Sequence, residues 1–257
     1  MPESLIAATL AAAVAALGGL LSPRLIGWLP EPDPEPAPPD ELPADAPAHE
    51  AGERDTIDTT VPAPPKIPYA DLAARPHLSA VLALAAALFA GSVGWRLGLD
   101  PALPLWVAFA VLGVVLSFVD WHTRLLPKRV VLPAYPALLA LAGLAAALGD
   151  GNDVLVRVAI GWAAVSGVYA LLWIVSPRGI GYGDVRFSGI VAIALATLGW
   201  AELLVGTYGG FVLGAVGGIV LVAMRLAERR SFPFGPFMVL GAWVGAIWGS
   251  ALLGGWG

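Results

Sequence analysis

Eight long apolar runs dominate this sequence and leave little room for a water-soluble fold. All but the sixth approach the roughly 20 residues with which an α-helix crosses the hydrocarbon core of a bilayer. Because 58% of the residues are hydrophobic and only 13% are charged, the chain suits neither a soluble core nor a soluble surface. We expect an all-α, polytopic integral membrane helix bundle of about eight transmembrane helices, at residues 4–22, 77–97, 103–120, 130–149, 153–175, 186–199, 202–224 and 236–254.

The segment between the first two runs has a different composition. Residues 23–76 contain more than half of the 23 prolines, and eleven of the nineteen acids lie between Glu31 and Asp71. Such a segment cannot bury enough apolar surface to offset its chain entropy, so we predict a disordered, acidic, Pro-rich linker. It separates a first helix in residues 1–22 from a membrane-embedded domain in residues 77–257. Because the net charge of −5 originates in the linker, it indicates no nucleic-acid partner.

The basic residues predict the orientation in the membrane. The first run lacks the basic start of a signal peptide, so we expect a retained helix with its N-terminus outside. The segments that then lie inside, with Arg186 at their edge, carry twelve of the fourteen Lys and Arg residues. Basic loops stay in the cytosol, so we assign these segments to the cytosolic face: 23–76, 121–129, 176–185 and 225–235.

Two aspartates are the candidate catalytic residues. Asp120 ends the third run and Asp184 precedes the sixth, so both are expected at the inner membrane face. An acid at a membrane boundary is costly unless it is solvated, paired or used. One interpretation is that each merely flanks a helix, with Asp184 favourably placed at a helix N-terminus. The other is water-activating peptide hydrolysis, in which one carboxyl is protonated and the other charged. The sequence assigns neither aspartate as the base.

Other chemistries find little support in the sequence. The chain has no cysteine and three histidines, His49, His77 and His122, so we expect no zinc site and no cofactor. Ser166-Gly167 lacks the preceding glycine of a rhomboid-like serine motif. His122 is expected to interact with lipid headgroups, or to support Asp120. The run from Gly179 to Asp184 is no phosphate-binding loop, but its glycines would permit left-handed backbone and close approach of a substrate strand.

Three motifs resemble those of the type IV prepilin peptidases, which are membrane aspartyl proteases with a glycine-x-glycine-aspartate (GxGD) motif. The first is Asp120 followed by a short turn that ends in Leu126-Pro127. The second runs from Gly181 through Gly183 and Asp184 to Arg186. The third is Pro233-Phe234-Gly235-Pro236-Phe237, before the last apolar run. The resemblance covers about residues 77–254 and is specific because the three motifs occur together in this order.

The resemblance implies a bacterial plasma-membrane peptidase that removes short basic leader peptides from pilin-like precursors at the cytosolic face. Asp120 and Asp184 match the catalytic pair. It further implies site-shaping roles for the other motif residues: Gly181, Gly183, Pro127, Arg186, Pro233, Gly235 and Pro236. The implied partners are the precursors, the lipid bilayer and pilus or secretion assembly machinery.

The sequence also departs from the family in three respects. Many members carry a cysteine-based zinc module after the first helix and methylate the new N-terminus. The acidic linker stands in that place here, so we expect a form without methyl transfer. Lys128 stands where an acidic residue often follows the proline, and Arg186 stands where a lysine is usual. These two changes bear on substrate contacts more than on the carboxylate pair.

Two alternatives use the same features differently. In a proton- or cation-coupled transporter, the two aspartates would bind ions. Their expected position near one face, rather than at the bilayer midplane, argues against this. In a scaffold for a pilus or secretion complex, the linker would recruit partners and the aspartates would be dispensable.

Overall fold

The computed structural model describes residues 2–30, 67–149, 151–176, 179–224 and 233–254. This part of the chain is folded into helices without any strand, which confirms the all-α prediction. The helices are α1 (Pro2–Trp28), α2 (Tyr69–Ala73), α3 (Leu78–Leu97), α4 (Leu103–Thr123), α5 (Lys128–Leu148), α6 (Asn152–Val175), α7 (Tyr182–Leu198), α8 (Trp200–Ala223) and α9 (Gly235–Leu253).

Seven of these helices are long and apolar enough to cross a membrane, namely α1, α3, α4, α5, α6, α8 and α9. The helix α7, which corresponds to the short sixth run, has 17 residues. The protein is therefore a polytopic membrane helix bundle, as its composition predicts.

The short helix α7 is the centre of the bundle. It packs against α4, α5, α6, α8 and α9, and every residue from Phe187 to Thr197 is buried. A helix that is apolar on all sides belongs in the interior of a protein. Its N-terminal turn, which contains Asp184, is thereby held in place by neighbours on several sides.

Small residues allow the outer helices to pack closely. On α1, the face against α3 repeats a small residue every four positions, at Ala7, Ala11, Ala15 and Gly19. A Cβ on Gly19 would lie 2.6 Å from the backbone nitrogen of Ala83. Such spacing lets two helix backbones approach in a membrane, where lipid removes the hydrophobic drive for association. The glycine-rich α8 packs against α9 in the same way.

A glycine-to-alanine change tests this packing. A Cβ on Gly245 of α9 would lie 2.6 Å from the Glu202 carbonyl oxygen and 2.7 Å from the Gly206 Cα. Both are backbone atoms of α8, so the alanine Cβ must push the two helices apart. We therefore expect Gly245→Ala to lower the free energy of unfolding by about 1–3 kcal/mol. Thermal melting in detergent measures it. The matched control is Gly167→Ala on α6, where a Cβ meets nothing within 4 Å. Equal melting temperatures of the two variants would contradict the packing argument.

The structure differs from the expected boundaries at both ends of the predicted linker. The first helix continues past residue 22, through Pro23, to Trp28. Near the other end, the short helix α2 packs against α1 through the buried side chains of Tyr69 and Leu72. Composition favoured a linker here because proline is common, yet a few apolar side chains are enough to dock these ends. The predicted disorder of residues 31–66 falls outside the described residues.

Candidate active site

Asp120 lies in the last turn of α4 and is only 4% exposed. The helix ends just beyond it, where Arg124 adopts a left-handed backbone (φ 55°) and donates its N–H to the Asp120 carbonyl at 2.8 Å. The Asp120 side chain turns to another helix: its Oδ2 accepts the backbone N–H of Gly235, at the start of α9, at 2.9 Å. The third motif is thus joined to the first by a buried hydrogen bond.

The N–H of Gly235 is available to Asp120 because Gly235 lies at the start of a helix. The first N–H groups of a helix have no partner within that helix. Gly235 is the first residue of α9, and Pro236 follows it, where proline is well tolerated. Pro233 and Gly235 are buried. A Cβ on Gly235 would lie 2.9 Å from Asp120 Oδ2, so only glycine allows this approach without a shift.

Asp184 lies in the first turn of α7 and exchanges two hydrogen bonds with Gly181. Its N–H donates to the Gly181 carbonyl at 3.0 Å, and its Oδ2 accepts the Gly181 N–H, also at 3.0 Å. A carboxylate at this position is favoured by the helix dipole. Asp184 therefore also has the helix-flanking role that the sequence offered as the plainer interpretation.

The structure brings the two aspartates to the same end of the bundle. The end of α4 meets the start of α7, and Asp120 acts electrostatically on Asp184. Gly183 permits this meeting: a Cβ there would lie 3.1 Å from the Leu126 Cβ, in the turn that follows Asp120. Each aspartate uses Oδ2 for a backbone N–H, and neither Oδ1 has a hydrogen-bond donor in the described part of the chain.

The glycines of the second motif are not used for left-handed backbone. Gly181 has φ −73° and ψ 148°, an extended conformation that other residues also adopt. Gly179 and Gly183 are not among the described residues with positive φ. The expectation of left-handed freedom in this run is therefore wrong. Glycine is used at position 183, and at 235 in the third motif, because a neighbouring side chain approaches closely.

The remaining motif residues form no hydrogen bond or ion pair with either carboxylate within the described regions. Pro127 precedes the first turn of α5. The Arg186 guanidinium lies over the Tyr182 ring, 4.3 Å from its centre, and the Arg186 carbonyl accepts the Tyr135 hydroxyl at 2.6 Å. Their site-shaping roles stay predictions.

His122 belongs to a different contact. Its Nδ1 is 2.8 Å from the Phe118 carbonyl, and its Nε2 is 2.6 Å from Arg75 Nη1. Both ring nitrogens therefore have partners other than Asp120. Among the described residues, no group of three or more His, Asp or Glu side chains could hold a metal ion.

Tyr169 is a residue near the site that sequence reasoning missed. It is 2% exposed on α6, its ring packs against Phe211 and Phe234, and it interacts electrostatically with Asp184. Tyrosines in membrane proteins commonly anchor the interface, so the residue type alone does not indicate a site. The only available signal was its position inside an apolar run, where a tyrosine hydroxyl is costly without a partner.

Comparisons with known proteins agree with these motifs. Residues 106–219 match the type IV leader peptidase family, a stretch that includes both aspartates. Two prepilin leader peptidase/N-methyltransferases, from Stutzerimonas stutzeri and Pseudomonas aeruginosa, are 33% and 32% identical to the chain over 178 residues. The protein of that name from Bacillus subtilis is 27% identical over 169 residues.

The matches cover only part of each protein. They span 66% of this chain and 58% of each of the first two relatives, and 65% of this chain and 64% of the Bacillus subtilis protein. No solved structure matches the chain. The helices and the relatives together point to a multi-pass bacterial membrane protein.

Proposed function

The chain belongs, through residues 106–219, to the type IV leader peptidase family, and on this premise we propose that it is an aspartic endopeptidase. Its substrates would be pilin-like precursors, cut between a short basic leader and the apolar helix that follows. The observation that carries the proposal is the pair Asp120 and Asp184: both are anchored through Oδ2, and neither Oδ1 has a donor among the residues that the structure describes.

The pair supplies both roles that peptide hydrolysis needs. Two interacting carboxyls do not readily ionise together, so one is protonated while the other is charged. The charged carboxylate takes a proton from water as the water oxygen attacks the scissile carbonyl carbon, and the protonated carboxyl donates to the carbonyl oxygen. The tetrahedral intermediate then collapses: the carboxyl that took the water proton donates it to the leaving nitrogen, the other carboxylate takes a proton back from the intermediate's hydroxyl, and the C–N bond breaks. The carboxyls thus act in opposite roles in the second step, which restores their starting protonation.

The hydrogen bonds to Gly181 and Gly235 hold the two carboxylates for this chemistry. The bond to Gly181 holds Asp184 at the start of α7, the helix with buried residues from Phe187 to Thr197. The bond to Gly235 joins Asp120 to the start of α9. Preorganised groups need no rearrangement during the reaction, which is the principal source of enzymatic acceleration. We therefore assign Gly181 and Gly235 as positioning residues.

The cytosolic face is supported by the distribution of charge. Twelve of the fourteen basic residues fall on the side of the predicted topology that contains the end of α4 and the start of α7. Positively charged loops remain in the cytosol. A precursor whose basic leader stays in the cytosol, and whose apolar helix enters the bilayer, presents its junction at this depth.

A reconstituted assay tests the function. The full chain is placed in liposomes with a precursor that has a basic leader followed by an apolar helix, and mass spectrometry identifies the products. We expect one cut, at the junction, giving two fragments. Proton flux is followed in the same liposomes. Flux that depends on Asp120 and Asp184, without any cleavage, would replace the peptidase by a transporter.

Tyr169 provides a further test, since its hydroxyl has no hydrogen-bond partner among the described side chains and it interacts with Asp184. If this hydroxyl helps to orient Asp184 during the reaction, Tyr169→Phe removes one hydrogen bond and lowers kcat about tenfold. Steady-state cleavage kinetics measure the change, and thermal melting should show none. The control is Tyr208→Phe, at an exposed tyrosine of α8. Equal kcat values for the two variants would exclude this role.

A further inference from the structure

A polar cavity lies at the end of the bundle opposite Asp120 and Asp184. Its volume is about 320 Å³, and it is enclosed by the last turns of α3, α5, α7 and α9 and the first turns of α6 and α8. Three charged side chains line it: Arg96, Asp100 and Glu202. It shares no residue with the proposed active site, so whatever it binds is a separate ligand.

The charges in this cavity are anchored but not neutralised. Glu202 is 9% exposed; its Oε1 accepts the Ser250 N–H at 3.1 Å, and its Oε2 has no donor in the described regions. Arg96 Nη2 donates to Ser250 Oγ at 2.8 Å, and Asp100 Oδ1 accepts the Ala102 N–H at 2.7 Å. Within those regions, none of the three forms an ion pair. Glu202 is buried without a counter-charge, which is costly, whereas Arg96 and Asp100 are exposed. A ligand that carries both signs would complement all three charges.

One further cation at this end of the bundle, Arg157, is used by a helix end and not by the carboxylates. Arg157 donates its Nε to the Ala196 carbonyl at 2.5 Å and its Nη2 to the Thr197 carbonyl at 3.1 Å. These carbonyls belong to the last turn of α7, where a helix exposes unpaired acceptors. Arg157 is thus occupied by the helix end.

An apolar groove adjoins the cavity. Its volume is about 440 Å³, and Asp100 and Pro101 line both spaces. Leu10 and Val14 of α1 form one side of the groove, and further side chains come from the first turns of α4 and the end of α5. Leu10 and Val14 are exposed on helices that cross the membrane, so this groove opens toward lipid. A polar, doubly charged cavity continues directly into an apolar groove at the membrane boundary.

We propose that this site binds one zwitterionic phospholipid with a primary-amine headgroup. The ammonium lies between Asp100 and Glu202, the phosphate lies against Arg96, and an acyl chain occupies the groove. Charge complementarity selects this headgroup. An anionic phosphatidylglycerol would leave both carboxylates without a cation, and the quaternary amine of phosphatidylcholine has no N–H to donate to them.

Native mass spectrometry of the full chain tests the proposal. Purified protein is stripped of lipid in mild detergent and then given phosphatidylethanolamine, phosphatidylcholine and phosphatidylglycerol with identical acyl chains. We expect wild-type protein to retain phosphatidylethanolamine about tenfold more strongly than either competitor. Equal retention of the three lipids, or preference for phosphatidylglycerol, would overturn the proposal.

Charge-removing variants locate the headgroup. Asp100→Asn and Glu202→Gln keep the acceptor oxygens used by Ala102 and Ser250, so the local hydrogen bonds persist. Each should reduce the preference for the primary amine, and the double variant should abolish it. The matched control, Asp153→Asn, changes an exposed acid at the same end of the bundle and should keep the preference. A preference that survives Asp100→Asn and the double variant would refute the assignment.

A groove variant separates the acyl chain from the headgroup. Val107→Trp on α4 fills the groove and should lower retention of all three lipids by a similar factor, without changing their order. Thermal melting confirms that each variant is folded. If the double variant does not fold, the lipid preference of Asp100→Asn alone decides whether the headgroup assignment stands. Unchanged retention in Val107→Trp would show that the groove is not used.

Discussion

Asp120→Asn or Asp184→Asn should each abolish leader removal, with turnover falling by about 10⁴-fold. Asparagine neither takes a proton from water at neutral pH nor donates one as a carboxyl does, so each substitution removes one half of the proton transfer. Because both roles are exchanged during one turnover, loss of either partner should cost about as much as loss of both. Cleavage of a purified precursor in liposomes, followed by mass spectrometry, measures the effect.

The design of these variants separates catalysis from folding. An asparagine oxygen can still accept the N–H of Gly235 or Gly181, so helix positions should be kept and melting temperatures should remain close to wild type. Asp153→Asn, an exposed acid at the opposite end of the bundle, is the matched control and should leave turnover unchanged. Processing that persists in a folded Asp120→Asn, Asp184→Asn double variant would exclude the aspartic mechanism.

Gly235→Ala should lower turnover by about 10²-fold although it changes no titratable group. The new Cβ would lie 2.9 Å from Asp120 Oδ2 and 3.3 Å from its Cγ. Either the carboxylate must move or the start of α9 must shift, and misplacement of a reacting group by about 1 Å costs roughly this factor. We expect the loss mainly in kcat, measured with the same precursor.

A second glycine provides the control for this effect. Gly143 lies in α5, and a Cβ there meets nothing within 4 Å, so Gly143→Ala should keep full turnover. It should also stabilise the helix slightly, by about 0.5–1 kcal/mol, because glycine is a poor helix former. Full activity in Gly235→Ala would show that the contact between α9 and Asp120 does not set the carboxylate position.

Much of the architecture follows from the sequence alone. A single apolar run of about 20 residues crosses hydrocarbon as an α-helix, because only the helix satisfies every backbone polar group within the segment itself. The eight runs therefore correspond to eight helices, although the start of α7 at Tyr182 lies earlier than residue 186. Asp120 and Asp184 were identified as candidate catalytic residues because each lies at the edge of an apolar run.

Other features depended on side chains that are distant in sequence. Nothing in the period of α6 distinguishes Tyr169 from an interfacial tyrosine until Phe211 and Phe234 are seen against its ring. The glycines near Asp184 suggested unusual backbone, whereas the described dihedrals are ordinary and the constraint is a neighbour's side chain. The polar cavity likewise consists of residues from six helices.

By itself, the sequence determined the helical membrane fold, the position of each aspartate at the edge of an apolar run and the motifs that resemble those of the leader peptidase family. These follow from local properties: the length of apolar runs, and where charges interrupt them. Only the tertiary structure decided that Asp120 bonds to Gly235, 115 residues further along the chain, and that α7 is the enclosed centre. The physical reason is that helices in a bilayer associate through close packing and a few polar contacts, and the sequence does not show which helix each of these surfaces packs against.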